Sequence, residues 1–179
     1  MTRTRRLTLP LLAALALALA VSACGYESHE TEVAEGEPVK LGELSYNAIF
    51  SRFLNPNDNE DSAYLVGQKP PPPGSAYFGV FFEVQNESEE TQVLPHSFTI
   101  HDADKQKFES LPSESLFAFP LGGEVEGQEQ IPVLDSTPEQ GAIEGSVVLF
   151  LLPAEASENR PLTLEIETED ATGEIELDL

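Results

Sequence analysis

From Tyr77 to Asn86 apolar side chains recur at every second position. Phe78, Val80, Phe82 and Val84 fall on one side of an extended chain, and Tyr77, Gly79, Phe81, Glu83 and Gln85 fall on the other. A period of two is incompatible with a helix, whose faces repeat every 3.6 residues. The same rhythm returns at Leu162, Leu164 and Ile166 against Thr163, Glu165 and Glu167, then through Ile175, Leu177 and Leu179. Those two runs, turned at Asp170–Gly173, predict a hairpin with an outer face of glutamate, and a chain end whose removal lowers stability. Gly145–Leu152 is a dense apolar run closed by Pro153, too short to cross a bilayer and suited to a central buried strand.

Shorter strands are expected at Val39–Leu44, Ser45–Phe53, Thr91–Leu94 and Ser97–Asp102, with a hairpin tip at Asp102–Gln106 and a return over Lys107–Glu109. Leu111–Phe119, between Pro112 and Pro120, reads either way, and Gly122–Gln130 is a polar connection. Residues 55–75 read as one long surface loop, with turn chemistry at Asn55–Asp61 and a stiff polyproline stretch at Pro70–Pro73. No segment past the leader keeps a helical period over a useful length. About eight or nine short strands with turn signals between them predict an all-β, antiparallel β-sandwich over residues 38–179.

The N-terminus specifies location. Arg3, Arg5 and Arg6 precede an apolar run, Leu7–Val21, that ends in Val21-Ser22-Ala23-Cys24. A basic start, a short apolar run and small residues before a cut form a secretory signal, residues 1–23. The run is about 15 residues, against the ~20 a helix needs to span a bilayer. The four closing residues resemble a bacterial lipobox, which implies a lipid thioether on Cys24 and cleavage before it. General secretion fits better than a twin-arginine route, because Thr8 and Pro10 suit the latter poorly. The expected location is a cell membrane, lipid-anchored, on the extracytoplasmic side.

Residues 24–37 hold Glu27, Glu30, Glu32, Glu35 and Glu37 with almost nothing to bury, and read as a flexible acidic tether. Cys24 is the only cysteine, so no disulfide can form within the chain and burial must hold the domain together. The whole chain carries a net charge of −23; the leader holds three of the nine basic residues and no acid, so the remainder stands at −26. Such a surface repels nucleic acid and anionic headgroups and favours cationic partners. It also keeps an exposed protein soluble, which is sufficient reason for it.

Three stretches carry a resemblance. Tyr77–Asn86 followed by Glu87 and Ser88, Phe98–Lys107, and Glu144–Pro153 resemble successive segments of a family of bacterial lipoproteins. Its members carry an immunoglobulin-like domain related to the mycobacterial immunoprotective extracellular antigen. The resemblance covers Val39–Leu179 in order, and the proline-rich loop before Tyr77 departs from it. It implies an immunoglobulin-like fold and an extracellular binding role, with no reaction and no cofactor.

Few residue groups suggest chemistry. His96 and His101 with Asp102 and Asp104 are candidates for a calcium, zinc or copper site, the alternative function. Five positions along a strand, however, put the two imidazoles on opposite faces. Asn57, Asn59 and Asp61 have the first three spacings of a calcium loop, but Ser62 stands where glycine is needed and Gln68 where glutamate is. There is no Gly-x-Ser-x-Gly motif and no phosphate-cradling glycine loop, and tryptophan, the usual sugar platform, is missing. The expectation is a non-catalytic binding or structural module that meets another envelope protein or a cell-wall component. Tyr77 and Phe81 are its candidate contact surface.

Overall fold

The computed structural model describes residues 31–168 and 171–178. The leader and Cys24 lie outside the described residues, and with them the signal-peptide and lipidation readings.

One sheet is built on the two longest strands, β3 (Leu44–Leu54) and β4 (Ser75–Asn86). β10 (Ser146–Pro153) lies on the far side of β4, and β2 (Val39–Leu41) lies on the far side of β3, giving the order β10-β4-β3-β2. All these pairings are antiparallel, and β9 (Gln130–Ile131) adds a short pairing to the end of β4. The second sheet runs β1-β12-β11-β6-β7. Its strands are β1 (Thr31–Ala34), β6 (Thr99–His101), β7 (Lys107–Glu109), β11 (Leu162–Glu167) and β12 (Thr172–Leu177). A two-stranded ribbon of β5 (Gln92–Val93) and β8 (Glu124–Val125) closes one side. The partition of β3, β4 and β10 from β6, β11 and β12 matches strands A, B, E against C, F, G of the immunoglobulin sandwich. The architecture expected from the alternating pattern is therefore the one found.

The main core lies between the sheets. Tyr46, Phe78, Val80, Phe82, Val148 and Phe150 from the first sheet meet Ile100, Leu164, Ile166 and Ile175 from the second. Phe82 stands at its centre, 5.1 Å from the ring of Phe98 and 5.8 Å from that of Phe119. Antibody-type immunoglobulin domains join their two sheets by a disulfide; this chain, with a single cysteine, relies on packing alone.

The strand register explains the mixed pattern of β4. Residues paired directly across a ladder share a face. Ala48 pairs with Phe82 over the main core, and a bulge between Ala48 and Phe50 then inserts Ile49. After it, Phe53 rather than an even-numbered residue faces Phe78, at 5.0 Å between rings. The bulge turns Leu54 to the other face, beside Tyr77 and Phe81, where a second apolar cluster forms. The first sheet is thus buried on both faces, so β4 and β10 read as nearly continuous apolar runs.

Two stretches differ from their sequence readings. Residues 24–37 do not stay a tether throughout, because Thr31–Ala34 is strand β1, parallel to β12 from Thr31↔Gly173 to Ala34↔Glu176. Val33 packs on the main core, so the stretch has something to bury after all. Next, the backbone N–H of Glu35 donates to Glu176 O and that of Gly36 to Ala48 O, both at 2.8 Å, carrying the chain from one sheet to the other. The Glu35 carboxylate accepts from the N–H of Ser51 at 3.0 Å, from its hydroxyl, and from the N–H of Asp178 at 3.2 Å. Secondly, residues 55–75 are not simply a loop. They contain helix α1 (Asn59–Tyr64), started by Asp58, whose carboxylate accepts from the N–H groups of Glu60 and Asp61.

Candidate functional site

Tyr77 and Phe81, read as a contact surface, are buried. Tyr64 from the end of α1 and the following Leu65, with Leu111, Phe117 and Ile143, cover the outer face of the first sheet. The Tyr64 ring meets Phe81 edge-on at 5.0 Å and Phe117 at 5.1 Å, a favoured geometry for aromatic pairs. The Tyr77 hydroxyl donates to Lys69 O at 2.7 Å, tying down the start of the polyproline stretch. The segment 111–119 also covers the open edge of β10: Leu111 N–H donates to Leu149 O and Val147 N–H to Phe117 O, both at 2.7 Å. Pairing of this sort removes an aggregation-prone edge. Tyr77 and Phe81 are core residues of a second layer.

The imidazole and carboxylate candidates are spread apart. His96 is exposed and lies over Gly122. His101 is on β6, with Nε2 3.2 Å from a carboxylate oxygen of Glu165 on β11; the contact has the distance of an ion pair but not the alignment of a hydrogen bond. Asp102 is buried and accepts from the N–H of Gln106 at 2.9 Å, closing the hairpin tip, while Asp104 accepts from the side chain of Asn159 at 3.2 Å. Among the described residues no three histidine, cysteine or acidic side chains are grouped as a metal would require. The calcium-like spacing has a structural use as well. Asp61 is buried, accepts from Asn55 N–H at 2.7 Å and pairs with Arg52, while Asn59 opens α1.

The arrangement best suited to binding lies at one end of the sandwich. The β2–β3 turn at Gly42-Glu43, the segment Thr91–Ser97 and the end of β11 at Glu167-Thr168 enclose a cleft of about 600 Å³. Leu41, Leu44, Leu94 and Pro95 give it apolar walls, and Glu43 and Glu167 stand exposed at it. Tyr46 belongs to the same wall. Its side chain is fully buried, and its hydroxyl has no hydrogen-bond partner among the described residues. An unpartnered buried hydroxyl costs about 1–3 kcal/mol. Sequence reasoning passed over this residue, although its type and parity were informative. Tyr46 alternates with Leu44 and Ala48 on the inward face, where phenylalanine would fill the space without a hydroxyl to satisfy.

Burial also acts on tyrosine ionisation. It raises the Tyr46 phenol well above its ordinary value of 10.0, and it pushes Tyr64 up to about 12, helped by the nearby Glu60 carboxylate. The native chain then holds these protons where the unfolded chain releases them. Their contribution to stability is complete below about pH 10 and is lost as pH rises from there. Urea melts between pH 8 and 11 should show stability falling steeply above pH 10. The double variant Tyr46→Phe, Tyr64→Phe should flatten that fall; an unchanged slope would remove these phenols from the account.

Comparison with known proteins agrees with the fold and stops there. No family model matches the chain, and no curated protein matches it. Solved structures resemble it, among them the following two. One is an uncharacterized β-sandwich protein from Clostridium difficile, 14% identical with a TM-score of 0.52, the match covering 85% of this chain and 97% of that one. The other is the yjhA protein from Bacillus subtilis, 14% identical with a TM-score of 0.53, covering 81% and 99%. At that identity the likeness is one of fold. Among the described residues no helix is long and apolar enough to cross a membrane.

Proposed function

We propose that the chain is exported, cut before Cys24, and held by lipid on that cysteine at the outer side of a membrane, where its sandwich serves as a non-catalytic binding module. The observation that carries this reading is Val21-Ser22-Ala23-Cys24 at the end of a short basic-then-apolar leader, with no other cysteine in the chain. The immunoglobulin arrangement of the sheets supports kinship with lipoproteins related to the mycobacterial antigen. Of the metal-binding candidates, His101, Asp102 and Asp104 are engaged in an ion pair, a hairpin turn and a side-chain bond to Asn159, which favours binding over chemistry. The partner is an envelope protein or cell-wall component of cationic character, given the acidic surface, and not a nucleic acid.

Strand β1 adds a geometric constraint. Thr31 is the seventh residue after Cys24, and an extended chain advances at most ~3.3–3.6 Å per residue. The start of β1 is thus held within about 25 Å of the lipid-bearing residue. Thr31 pairs with Gly173, beside the turn between β11 and β12, at the end of the sandwich where Glu167 and Thr168 line the cleft. On this reading the cleft sits at the end of the sandwich nearer the anchor.

Cys24→Ser tests the anchor. The wild-type chain should sediment with membranes and resist extraction by high salt, whereas the variant should appear almost wholly in the soluble fraction with its fold intact. A variant that sediments as the wild type does would refute lipid attachment at this residue.

A further inference from the structure

The cleft gives the binding-module reading a site and a ligand class. We propose that it binds a peptide segment carrying a lysine-type primary amine, with the Tyr46 hydroxyl bonding an amide of the ligand and Glu43 and Glu167 facing its ammonium group. The inference rests on the preceding reading and adds to it.

Three independent features point the same way. First, Tyr46 is the one residue of the cleft wall with a buried side-chain polar atom that has no partner among the described residues. Buried hydroxyls in native proteins are almost always bonded, so this one calls for a missing partner. An amide fits, since a phenol can donate to a carbonyl or accept from an N–H. Secondly, Leu41, Leu44, Leu94 and Pro95 form a wall that suits the methylene stem of a long basic side chain. Thirdly, two carboxylates stand at the cleft and neither is in an ion pair among the described residues; the nearby cation Lys40 is bonded to Glu87, just past β4, and also lies close enough to Glu43 to feel its charge. Negative charge is left over for a cationic guest. Binding at the membrane-proximal end also suits a ligand that belongs to the cell envelope.

The hydroxyl is enclosed in the free protein, so binding requires the wall side chains to shift. Tyr46 ring resonances should report that shift.

The test uses the whole chain in detergent micelles, titrated by calorimetry with Nα-acetyl-lysine N-methylamide and, separately, with its uncharged norleucine counterpart. The lysine probe should bind saturably, and the norleucine probe about 10-fold or more weakly, a difference of about 1.4 kcal/mol. Tyr46→Phe should melt at the wild-type temperature or above it, because it deletes an unsatisfied group, yet it should bind the lysine probe about 10-fold more weakly. The double variant Glu43→Gln, Glu167→Gln should also weaken the lysine probe and leave norleucine unchanged. Absence of saturable binding up to about 10 mM, equal binding of the two probes, or undiminished binding by Tyr46→Phe would each overturn the proposal. These outcomes are separate from the fate of Cys24→Ser. A soluble variant that fails to bind lysine removes the ligand alone, and a chain that binds lysine without being anchored removes only the membrane.

Discussion

Asn86→Asp should lower the melting temperature by roughly 10 °C or more, with an unfolding free energy reduced by about 4 kcal/mol. The change is almost isosteric, so packing is preserved and only hydrogen-bonding capacity and charge alter. Asn86 ends β4 and is fully buried. Its amide nitrogen donates to three carbonyl oxygens, those of Glu90 at 2.7 Å, Glu126 at 3.0 Å and Val125 at 3.1 Å. Its oxygen accepts from the N–H of Ser88 at 2.9 Å and from the Ser88 hydroxyl at 2.8 Å. One side chain thereby shapes the turn after β4 and fastens it to β8. An aspartate keeps the accepting half, loses both donors, and sets a charged oxygen against the three carbonyls. Each buried group left unpaired costs about 1–3 kcal/mol, and small domains have only about 5–15 kcal/mol in total. Protonation would restore one donor, so the loss relative to wild type should be smaller at pH 4 than at pH 7. A variant within about 1 kcal/mol of wild type at pH 7 would show that Asn86 does not hold this corner.

The same residue marks the boundary of what can be read without coordinates. The alternation from Tyr77 onward exposes β4 because period two is local, and Asn86 marks the end of that alternation. β10 and the hairpin of β11 and β12 are legible for the same reason. What covers each face is not local. Tyr77 and Phe81 look available until α1 and residues 111–119, distant in sequence, lie across them. Helix α1 spans six residues, too few for a helical period to emerge, and its cap Asp58 lies in a run of turn-forming residues. Strand β1 is four residues long, two of them partnered glutamate and threonine, and it orders only because β12 offers an edge. The cleft draws on three separated segments, so no motif encodes it. Its single local trace is a tyrosine in an inward position where only packing was expected.

Removing residues 171–179 should abolish cooperative unfolding altogether. β12 lies inside its sheet, antiparallel to β11 on one side and parallel to β1 on the other. Ile175 and Leu177 are buried in the main core, and burying each such side chain contributes about 1.5–3 kcal/mol. Gly173 has Val39 and Leu41 side chains 3.1 Å from where a β-carbon would stand, so β2 rests directly on this strand. The deletion withdraws all three contributions and leaves Leu162, Leu164 and Ile166 beside an open edge. It also strands β1, whose one sheet partner among the described residues is β12, and takes from Glu35 its bonds to Glu176 O and Asp178 N–H. Those losses together match the whole stability of an ordinary domain of this size. Circular dichroism should show no sigmoidal melt, and limited proteolysis should degrade the chain to the anchor-proximal residues. Cys24, the proposed lipid site, is untouched, so the truncated chain should still sediment with membranes if that proposal holds, separating anchoring from folding in one molecule. A truncated chain that melts cooperatively within about 5 °C of wild type would mean that the second sheet closes without β12, and the parallel β1 pairing would then be dispensable to the sandwich.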